Sequence, residues 1–230
     1  MSALPQTKDL ILDKQGSVLT LWLNRPEAKN ALSAEMVDEL HAVLDAAAAD
    51  PTLRTLILRG KGGIFCAGAD IKGFKSGAQG GEPNEDDVAR GNRTFGDLMI
   101  KLNEQPQAVI MLVEGAAIGG GLGLPQARRL MLTGARFKGE EAVQYGIGHI
   151  LAEDSADMEA KCAEVLAQIA LCAPGANAVT KSIVFEATRR PRSEALDFAA
   201  RGFAKCMLSD EGREGVAAFV EKRKPTWASE

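Results

Sequence analysis

Residues 65–71 read Phe65-Cys66-Ala67-Gly68-Ala69-Asp70-Ile71, and this run of small residues is the strongest signal of the architecture. A second stretch of small residues begins about fifty positions later and reads Gly115-Ala116-Ala117-Ile118-Gly119-Gly120-Gly121-Leu122-Gly123. Each follows a strand-like apolar run, so each predicts a tight turn at the end of a strand. Two such turns can direct backbone N–H groups at one oxygen atom, which is the geometry of an oxyanion hole. The sequence therefore places the chemistry of this chain on backbone amides.

The runs around these turns predict alternating strands and helices. Strands are predicted over residues 8–13, 18–24, 53–59 and 108–113, the first two as an antiparallel hairpin and the last as a buried parallel strand. Helical spacing of apolar residues predicts helices over residues 33–50, 85–105, 140–145, 158–171, 176–188, 193–208 and 210–222. Helix, strand and small-residue turn occur twice, which indicates stacked β-β-α units. We expect an α/β core over residues 1–135 and a helical region over residues 136–230.

Composition narrows the class of protein. A chain of 230 residues with 46% hydrophobic content can bury a full core, as one large domain or one domain with a helical appendage. The net charge of -4 argues against broad nucleic-acid binding, and the basic run Arg189-Arg190-Pro191-Arg192 is interpreted as a solvated loop. No apolar run approaches the roughly 18 to 20 residues of a membrane helix, so we expect a soluble protein without a membrane partner.

Cysteine and histidine content bears on metal, redox and hydrolytic chemistry. The four cysteines are widely spaced and contain no C-x-x-C pair, which favours small buried hydrophobic positions in a reducing, cytoplasmic setting: Cys66, Cys162, Cys172 and Cys206. The two histidines, His41 and His149, lie in neither a G-x-S-x-G nor an H-E-x-x-H motif. The sequence therefore predicts no metal site and no serine-hydrolase triad.

Four segments in order carry a family resemblance. They are Leu23-Asn24-Arg25-Pro26-Glu27-Ala28-Lys29-Asn30-Ala31-Leu32, residues 65–71, Glu114-Gly115-Ala116-Ala117-Ile118-Gly119-Gly120-Gly121, and Phe219-Val220-Glu221-Lys222-Arg223-Lys224-Pro225. Together they strongly resemble the crotonase family, the enoyl-CoA hydratases and isomerases, over nearly the whole chain. The resemblance implies a spiral of β-β-α turns with a helical C-terminal region that packs homotrimers, often as dimers of trimers. The stretch 130–137 and the Glu114-Gly115-Ala116-Ala117 variant look most like hydratases of branched glutaconyl-CoA substrates.

The resemblance also implies roles for individual residues. Ala69 and Gly120 match the two residues whose backbone N–H groups polarise the carbonyl of an acyl-CoA thioester. Positions 67–72 match the stretch that lines the coenzyme A arm, and Arg25 and Lys29 match the neighbourhood of its nucleotide end. The full set of implied substrate-binding residues is Arg25, Ala28, Lys29, Ala67, Gly68, Asp70, Ile71, Lys72 and Gly119. No permanently bound cofactor is implied, because coenzyme A enters as part of the substrate.

Physical chemistry supports the hole independently of the family. Gly120 lies in a segment that can begin a helix, where its N–H would be unpaired at the positive end of the helix dipole. The alternative interpretation is that 119–123 only lets a strand and a helix pack closely. A dinucleotide-binding motif begun at Gly119 would need glycine where Leu124 stands. Asp70 is interpreted as a structural residue of the turn rather than a catalytic acid.

The pattern breaks after the second turn. Hydratases of this family use two carboxylates, and the first is expected where Gly123 stands. The second belongs to a stretch of a few dozen residues that should follow Leu124, but Pro125-Gln126-Ala127-Arg128-Arg129 follows instead. The carboxylates left nearby are more simply solvated or structural: Glu82, Glu85, Asp86 and Glu114. Three hypotheses stay open, namely an enoyl-CoA hydratase/isomerase, a non-catalytic acyl-CoA binder or scaffold, and another crotonase-type reaction such as isomerisation or thioester hydrolysis.

Overall fold

The computed structural model describes residues 4–70, 85–114, 132–133 and 137–228. Four strands lie within these ranges: β1 (Leu10–Gln15), β2 (Val18–Leu23), β3 (Thr55–Gly60) and β4 (Ala108–Leu112). The described residues also form seven α-helices: α1 (Ala34–Ala48), α2 (Glu85–Glu104), α3 (Gly139–Gln144), α4 (Ser155–Leu171), α5 (Pro174–Ala187), α6 (Arg192–Met207) and α7 (Asp210–Glu221). Short 3₁₀ helices lie at Pro26–Ala28 and Thr226–Ala228. The α/β class predicted from the sequence is confirmed.

The strands form one sheet in the order β1-β2-β3-β4. β1 and β2 pair antiparallel through the predicted hairpin, where Gly16 takes a positive φ of 57° that favours glycine. β2 pairs parallel to β3, and β3 pairs parallel to β4. Parallel pairing requires crossover connections, and α1 supplies the crossover from β2 to β3. The carboxyl ends of β2, β3 and β4 therefore meet at one edge of the sheet.

One face of the sheet is covered by α1 and α2. Ser33 caps α1, since its hydroxyl accepts the Met36 N–H at 3.2 Å. The apolar residues of α1 recur at helical spacing and pack on alternate residues of the strands, as the period of each element requires. This first cluster contains Leu19, Leu21, Leu23, Met36, Val37, Leu40, Val43, Leu44, Ala47, Leu56, Leu58, Cys66, Leu98 and Leu102.

The other face of the sheet is covered by α4. Cys162 is buried against Ile57 and Leu112, and the partly buried Val18, Ile110, Met158 and Leu166 surround them. The prediction that all four cysteines are buried is right for Cys66 and Cys162 but wrong for the other two. Cys172 is exposed just beyond the end of α4, and Cys206 is half-buried in the last turn of α6, because helix ends leave their side chains less covered.

β4 differs from its prediction in burial. It is parallel as predicted, but only Leu112 is buried, whereas Met111 is 48% exposed and Val113, just beyond the strand, is 46% exposed. In the described sheet β4 pairs with β3 alone. The apolar run thus predicted the parallel direction of β4 correctly, but it predicted more burial than the strand has.

Two cations join the helical C-terminal region to the sheet. The Lys181 ammonium on α5 donates to the carbonyl oxygens of Gln105 and Gln107, at 2.9 Å each. Arg54, just before β3, donates to the Cys172 carbonyl oxygen at 2.6 Å and to the Trp227 carbonyl oxygen at 3.0 Å. The carbonyls of Gln105 and Cys172 directly follow α2 and α4, where helix ends leave such groups unpaired. The predicted boundary between an α/β core and a helical region, at residue 135, lies outside the described residues and stays a prediction.

Apolar side chains are exposed on the last two helices. The most exposed is Phe219 at 85%; the others on these helices are Leu196, Phe203, Met207, Val216 and Val220, and the exposed Leu208 directly follows α6. Within the described ranges no single helix has the length and apolar character needed to cross a membrane; α4 and α5 pass that test only jointly, with a bend of 103° between them.

Candidate functional site

The first predicted turn extends the carboxyl edge of the sheet. The Phe65 N–H donates to the Glu114 carbonyl oxygen at 2.7 Å, which places the start of the turn beside the end of β4. Further along, Ala69 forms a parallel bridge with Leu32. In this bridge the Leu32 N–H donates to the Gly68 carbonyl oxygen and the Asp70 N–H donates to the Leu32 carbonyl oxygen, both at 2.9 Å.

Of the four N–H groups at positions 67–70, three are used inside the fold. The Ala67 N–H donates to the Lys29 carbonyl oxygen at 3.0 Å, the Gly68 N–H to Cys66 Sγ at 3.3 Å, and the Asp70 N–H as described above. The Ala69 N–H has no acceptor in the described part of the chain. A parallel bridge turns the N–H of its central residue away from the partner strand, and Ala69 is exposed. Within the described ranges, the Ala69 N–H is therefore the one donor of positions 67–70 that is left unpaired, and it faces solvent.

Gly68 makes this arrangement possible. Its φ of 93° lies in the region that side chains with a Cβ rarely adopt. The conformation lets Gly68 donate back to Cys66 while its carbonyl faces Leu32. The glycine in this turn is thus required by backbone geometry.

The buried side chain of Asn30 holds the turn from behind, a role that sequence reasoning missed. Its Oδ1 accepts the Arg25 N–H at 2.9 Å, and its Nδ2 donates to the carbonyl oxygens of Lys61 at 2.9 Å and Ile64 at 2.7 Å. Gly60 lies beside it, where a Cβ would come 2.7 Å from Asn30 Nδ2. The available signal was an asparagine inside the first family segment and a glycine at the end of β3.

Arg25 joins the first family segment to the turn. Its Nη2 lies 2.9 Å from Asp70 Oδ2, its Nη1 donates to the Ala31 carbonyl oxygen at 2.7 Å, and its Nε lies 3.6 Å from Asp9 Oδ2. The guanidinium is therefore engaged within the fold, and Asp70 has a structural contact. The placement of Arg25 at the nucleotide end of a substrate stays a prediction.

Ala28 and Lys29 belong to the segment whose backbone hydrogen-bonds to the turn. Lys29 ends the first 3₁₀ helix in a left-handed conformation with a φ of 52°, and its carbonyl is the acceptor for Ala67. The Ala28 carbonyl oxygen accepts the Ala31 N–H at 3.1 Å. The Lys29 side chain is exposed, so its ammonium is accessible to an anionic ligand.

The structure thus brings together seven of the predicted site residues through short backbone and side-chain contacts: Arg25, Ala28, Lys29, Ala67, Gly68, Ala69 and Asp70. The other four, Ile71, Lys72, Gly119 and Gly120, lie outside the described residues. Their roles, including the second donor of the hole, stay predictions.

Glu114 is held in a polar cluster at the end of β4. Its Oε1 accepts the Ser155 hydroxyl at 3.0 Å and lies 3.7 Å from Arg59 Nη2. Arg59 also pairs with Glu159 at 2.5 Å and stacks over the Trp22 ring at 4.2 Å from its centroid. These contacts agree with a structural Glu114. Of the other carboxylates considered, Glu82 and the Glu85 side chain lie outside the described part, and Asp86 is exposed.

Comparison with protein families adds to this geometry. The sequence profile described as enoyl-CoA hydratase/isomerase matches residues 13–125 and, separately, residues 122–230. A protein of Bacillus subtilis (strain 168) named "Probable enoyl-CoA hydratase" is 30% identical over 261 aligned positions, covering 96% of this chain and 98% of that protein. Because 96% of 230 residues is about 221, about 40 aligned positions have no counterpart here. The two profile matches meet at residues 122–125, the point at which the sequence departs from the family pattern after Leu124.

Solved structures show the same fold over nearly the whole chain. Pseudomonas aeruginosa AtuE is 38% identical with a TM-score of 0.91, and the match covers 96% of this chain and 100% of that one. An enoyl-CoA hydratase/isomerase from Marinobacter aquaeolei is 35% identical with a TM-score of 0.89, covering 96% and 99% of the two chains. These matches confirm the crotonase fold expected from the four sequence segments. The chain belongs to the enoyl-CoA hydratase/isomerase family.

Proposed function

We propose that this protein binds acyl-CoA thioesters and acts as an enoyl-CoA hydratase/isomerase, stabilising a thioester enolate in a hole formed by the Ala69 and Gly120 N–H groups. The observation that carries the proposal is the exposed Ala69 N–H, which has no acceptor among the described residues although the Ala67, Gly68 and Asp70 amides are all engaged. Family membership supports the same chemistry. The second donor rests on the sequence match at Gly120.

The chemical role of such a hole follows from where charge develops. When water adds to the β-carbon of an enoyl thioester, the electron pair of the double bond moves toward the carbonyl, and the thioester oxygen becomes an enolate oxygen. A fixed N–H stabilises this anion more than the neutral carbonyl, so it lowers the barrier rather than only tightening binding. Removal of one donor of this kind typically costs about 10²- to 10³-fold in kcat.

Substrate binding uses the surroundings of the turn. Ala67 has only a methyl side chain and Gly68 has no Cβ, which lets a pantetheine chain approach the backbone closely. In this proposal the exposed Lys29 ammonium meets phosphate groups of coenzyme A. Coenzyme A is part of the substrate in this proposal, and no permanent cofactor is required. Four free thiols fit the reducing environment of the cytoplasm.

Assembly is proposed to be a homotrimer or a dimer of trimers. The apolar side chains exposed on α6 and α7 support this, since contiguous exposed apolar surface is typical of an interface. Sedimentation of the 24.4 kDa chain should give three or six copies per particle. A monomer at micromolar concentration would contradict the proposed assembly.

Activity is tested by hydration of a short enoyl-CoA, followed by the ultraviolet absorbance of the conjugated thioester. The Gly120→Pro variant removes one proposed donor because proline has no N–H. We expect kcat/KM to fall about 10²- to 10³-fold while circular dichroism and thermal midpoint show that the variant is folded. Turnover that survives this substitution would remove Gly120 from the hole.

A second candidate is an acyl-CoA binder or scaffold without turnover. The observation that favours it is the absence of about 40 aligned positions, together with a Glu114 that is engaged elsewhere. A general acid or base typically contributes about 10²- to 10⁴-fold, so a chain lacking both would turn over very slowly. Calorimetry distinguishes the two candidates, because the binder gives heat with an enoyl-CoA and no loss of its absorbance. Absence of binding would eliminate both.

A further inference from the structure

Cys66 belongs to the turn that carries the Ala69 N–H, and its side chain is buried in the core. Its side chain is 6% exposed and belongs to the apolar cluster formed by α1 and the sheet. Its Sγ accepts the Gly68 N–H at 3.3 Å and lies 3.9 Å from the Gly68 carbonyl oxygen. A thiol can accept and donate weakly, so the sulfur contacts both polar groups of one glycine.

These contacts bear on the direction of the Ala69 N–H. In a trans peptide the N–H points opposite to the C=O of the same peptide plane, so the Gly68 carbonyl sets the direction of the Ala69 N–H. The Leu32 N–H holds that carbonyl from outside the turn. From inside, only the Cys66 sulfur braces Gly68 among the described residues. Gly68 has a positive φ of 93° and wide conformational freedom, so without a brace its peptide planes are less constrained.

We propose that Cys66 is a positioning residue for the oxyanion hole, whose sulfur braces Gly68 and thereby fixes the Ala69 N–H toward the substrate oxygen. This inference rests on the proposed function. The sulfur acts only through these contacts and takes part in no covalent step. Burial raises the pKa of the Cys66 thiol, so near neutral pH the sulfur is a neutral hydrogen-bonding group rather than a thiolate nucleophile.

The matched pair of variants is Cys66→Ala and Cys162→Ala. Cys162 is also 6% exposed, but it packs on the opposite face of the sheet, so the same atoms are deleted from an equally buried site away from the turn. Cys66→Ser keeps an acceptor for the Gly68 N–H. We expect Cys66→Ala to lower kcat about three- to tenfold with little change in KM, and Cys66→Ser and Cys162→Ala to stay within about twofold of the parent protein.

A second measurement does not depend on turnover. A conjugated thioester such as cinnamoyl-CoA absorbs at longer wavelength when its carbonyl is polarised, so the shift on binding reports the hole itself. We expect a shift with the parent protein, Cys66→Ser and Cys162→Ala, and a smaller shift with Cys66→Ala at saturating ligand. Amide hydrogen exchange measured by NMR should show Gly68 protected in the parent protein and Cys66→Ser, and exchanging at least tenfold faster in Cys66→Ala.

The outcomes separate the inference from the function on which it rests. A parent protein that shifts the thioester absorbance, with an equal shift and equal Gly68 protection in Cys66→Ala, overturns the role of Cys66 and leaves the hole in place. Equal losses of kcat in Cys66→Ala and Cys162→Ala would also overturn it, since a general loss of packing would then suffice. A parent protein that binds thioester without any shift overturns the hole, and the inference with it.

Discussion

Replacing Asn30 with aspartate tests the contact that holds the turn in place. Asn30→Asp keeps the size of the side chain and the acceptor for the Arg25 N–H, but it removes both donors to the carbonyl oxygens of Lys61 and Ile64. Asn30 is fully buried, so both carbonyls lose their donors at a buried side chain and face a carboxylate oxygen instead. Each buried group left unsatisfied costs about 1–3 kcal/mol, which gives about 2–6 kcal/mol for the pair.

Urea unfolding followed by circular dichroism measures this loss directly. The control is Asn103→Asp, which makes the same chemical change at an exposed position on α2 and should alter the free energy of unfolding by no more than about 0.5 kcal/mol. Protonation gives the new carboxyl one O–H donor. The loss of unfolding free energy in Asn30→Asp should therefore become smaller as pH falls toward 4, while that in Asn103→Asp should not. A deficit at pH 7 no larger than that of the control would refute the assigned role of Asn30.

Two further predictions concern packing and pH. Gly60→Ala should lower the free energy of unfolding in urea by about 1–3 kcal/mol, because its Cβ would meet backbone atoms and the Asn30 amide. Gly96→Ala is the control: it has open space around it in α2 and should raise the free energy of unfolding by up to about 1 kcal/mol. Equal effects of the two substitutions would contradict the close approach at Gly60. Hydrogen bonds from the Thr52 hydroxyl, then the Lys14 ammonium, lower the pKa of Asp50 from 3.8 to about 2. The contribution of ionised Asp50 to stability is therefore complete above about pH 4 and is lost as pH falls toward 2. Asp50→Asn should reduce the fall of the thermal midpoint between about pH 4 and pH 2. An unchanged fall in this variant would contradict the stabilising role of Asp50.

Local patterns in the sequence were enough to predict most of the elements. Helical spacing of apolar residues located the helices within a few residues, and Gln15-Gly16 located the hairpin, because both signals lie within one element or one turn. The direction of β4 also followed from its apolar run and the crossover rule. Its burial did not, since coverage depends on which elements lie beside a strand.

The candidate site was predictable only in part. The two small-residue turns and the family segments pointed to Ala69, but only the coordinates show that its N–H has no acceptor among the described residues. The contacts of Asn30 join residues 31 and 34 positions apart, and no local pattern specifies such hydrogen bonds. The Cys66 sulfur was assigned only a packing role, because a cysteine in an apolar setting carries no sequence signal for bracing a glycine.

The most direct test is the infrared carbonyl stretch of a ¹³C-labelled acyl-CoA thioester bound to the protein. Donation from the backbone at positions 69 and 120 predicts a stretch at lower frequency than in water, and Ala69→Pro, which has no N–H at that position, should move it back toward the free value while the chain stays folded. A bound thioester whose carbonyl frequency equals that in water, or is the same in Ala69→Pro, would contradict a backbone oxyanion hole in this protein.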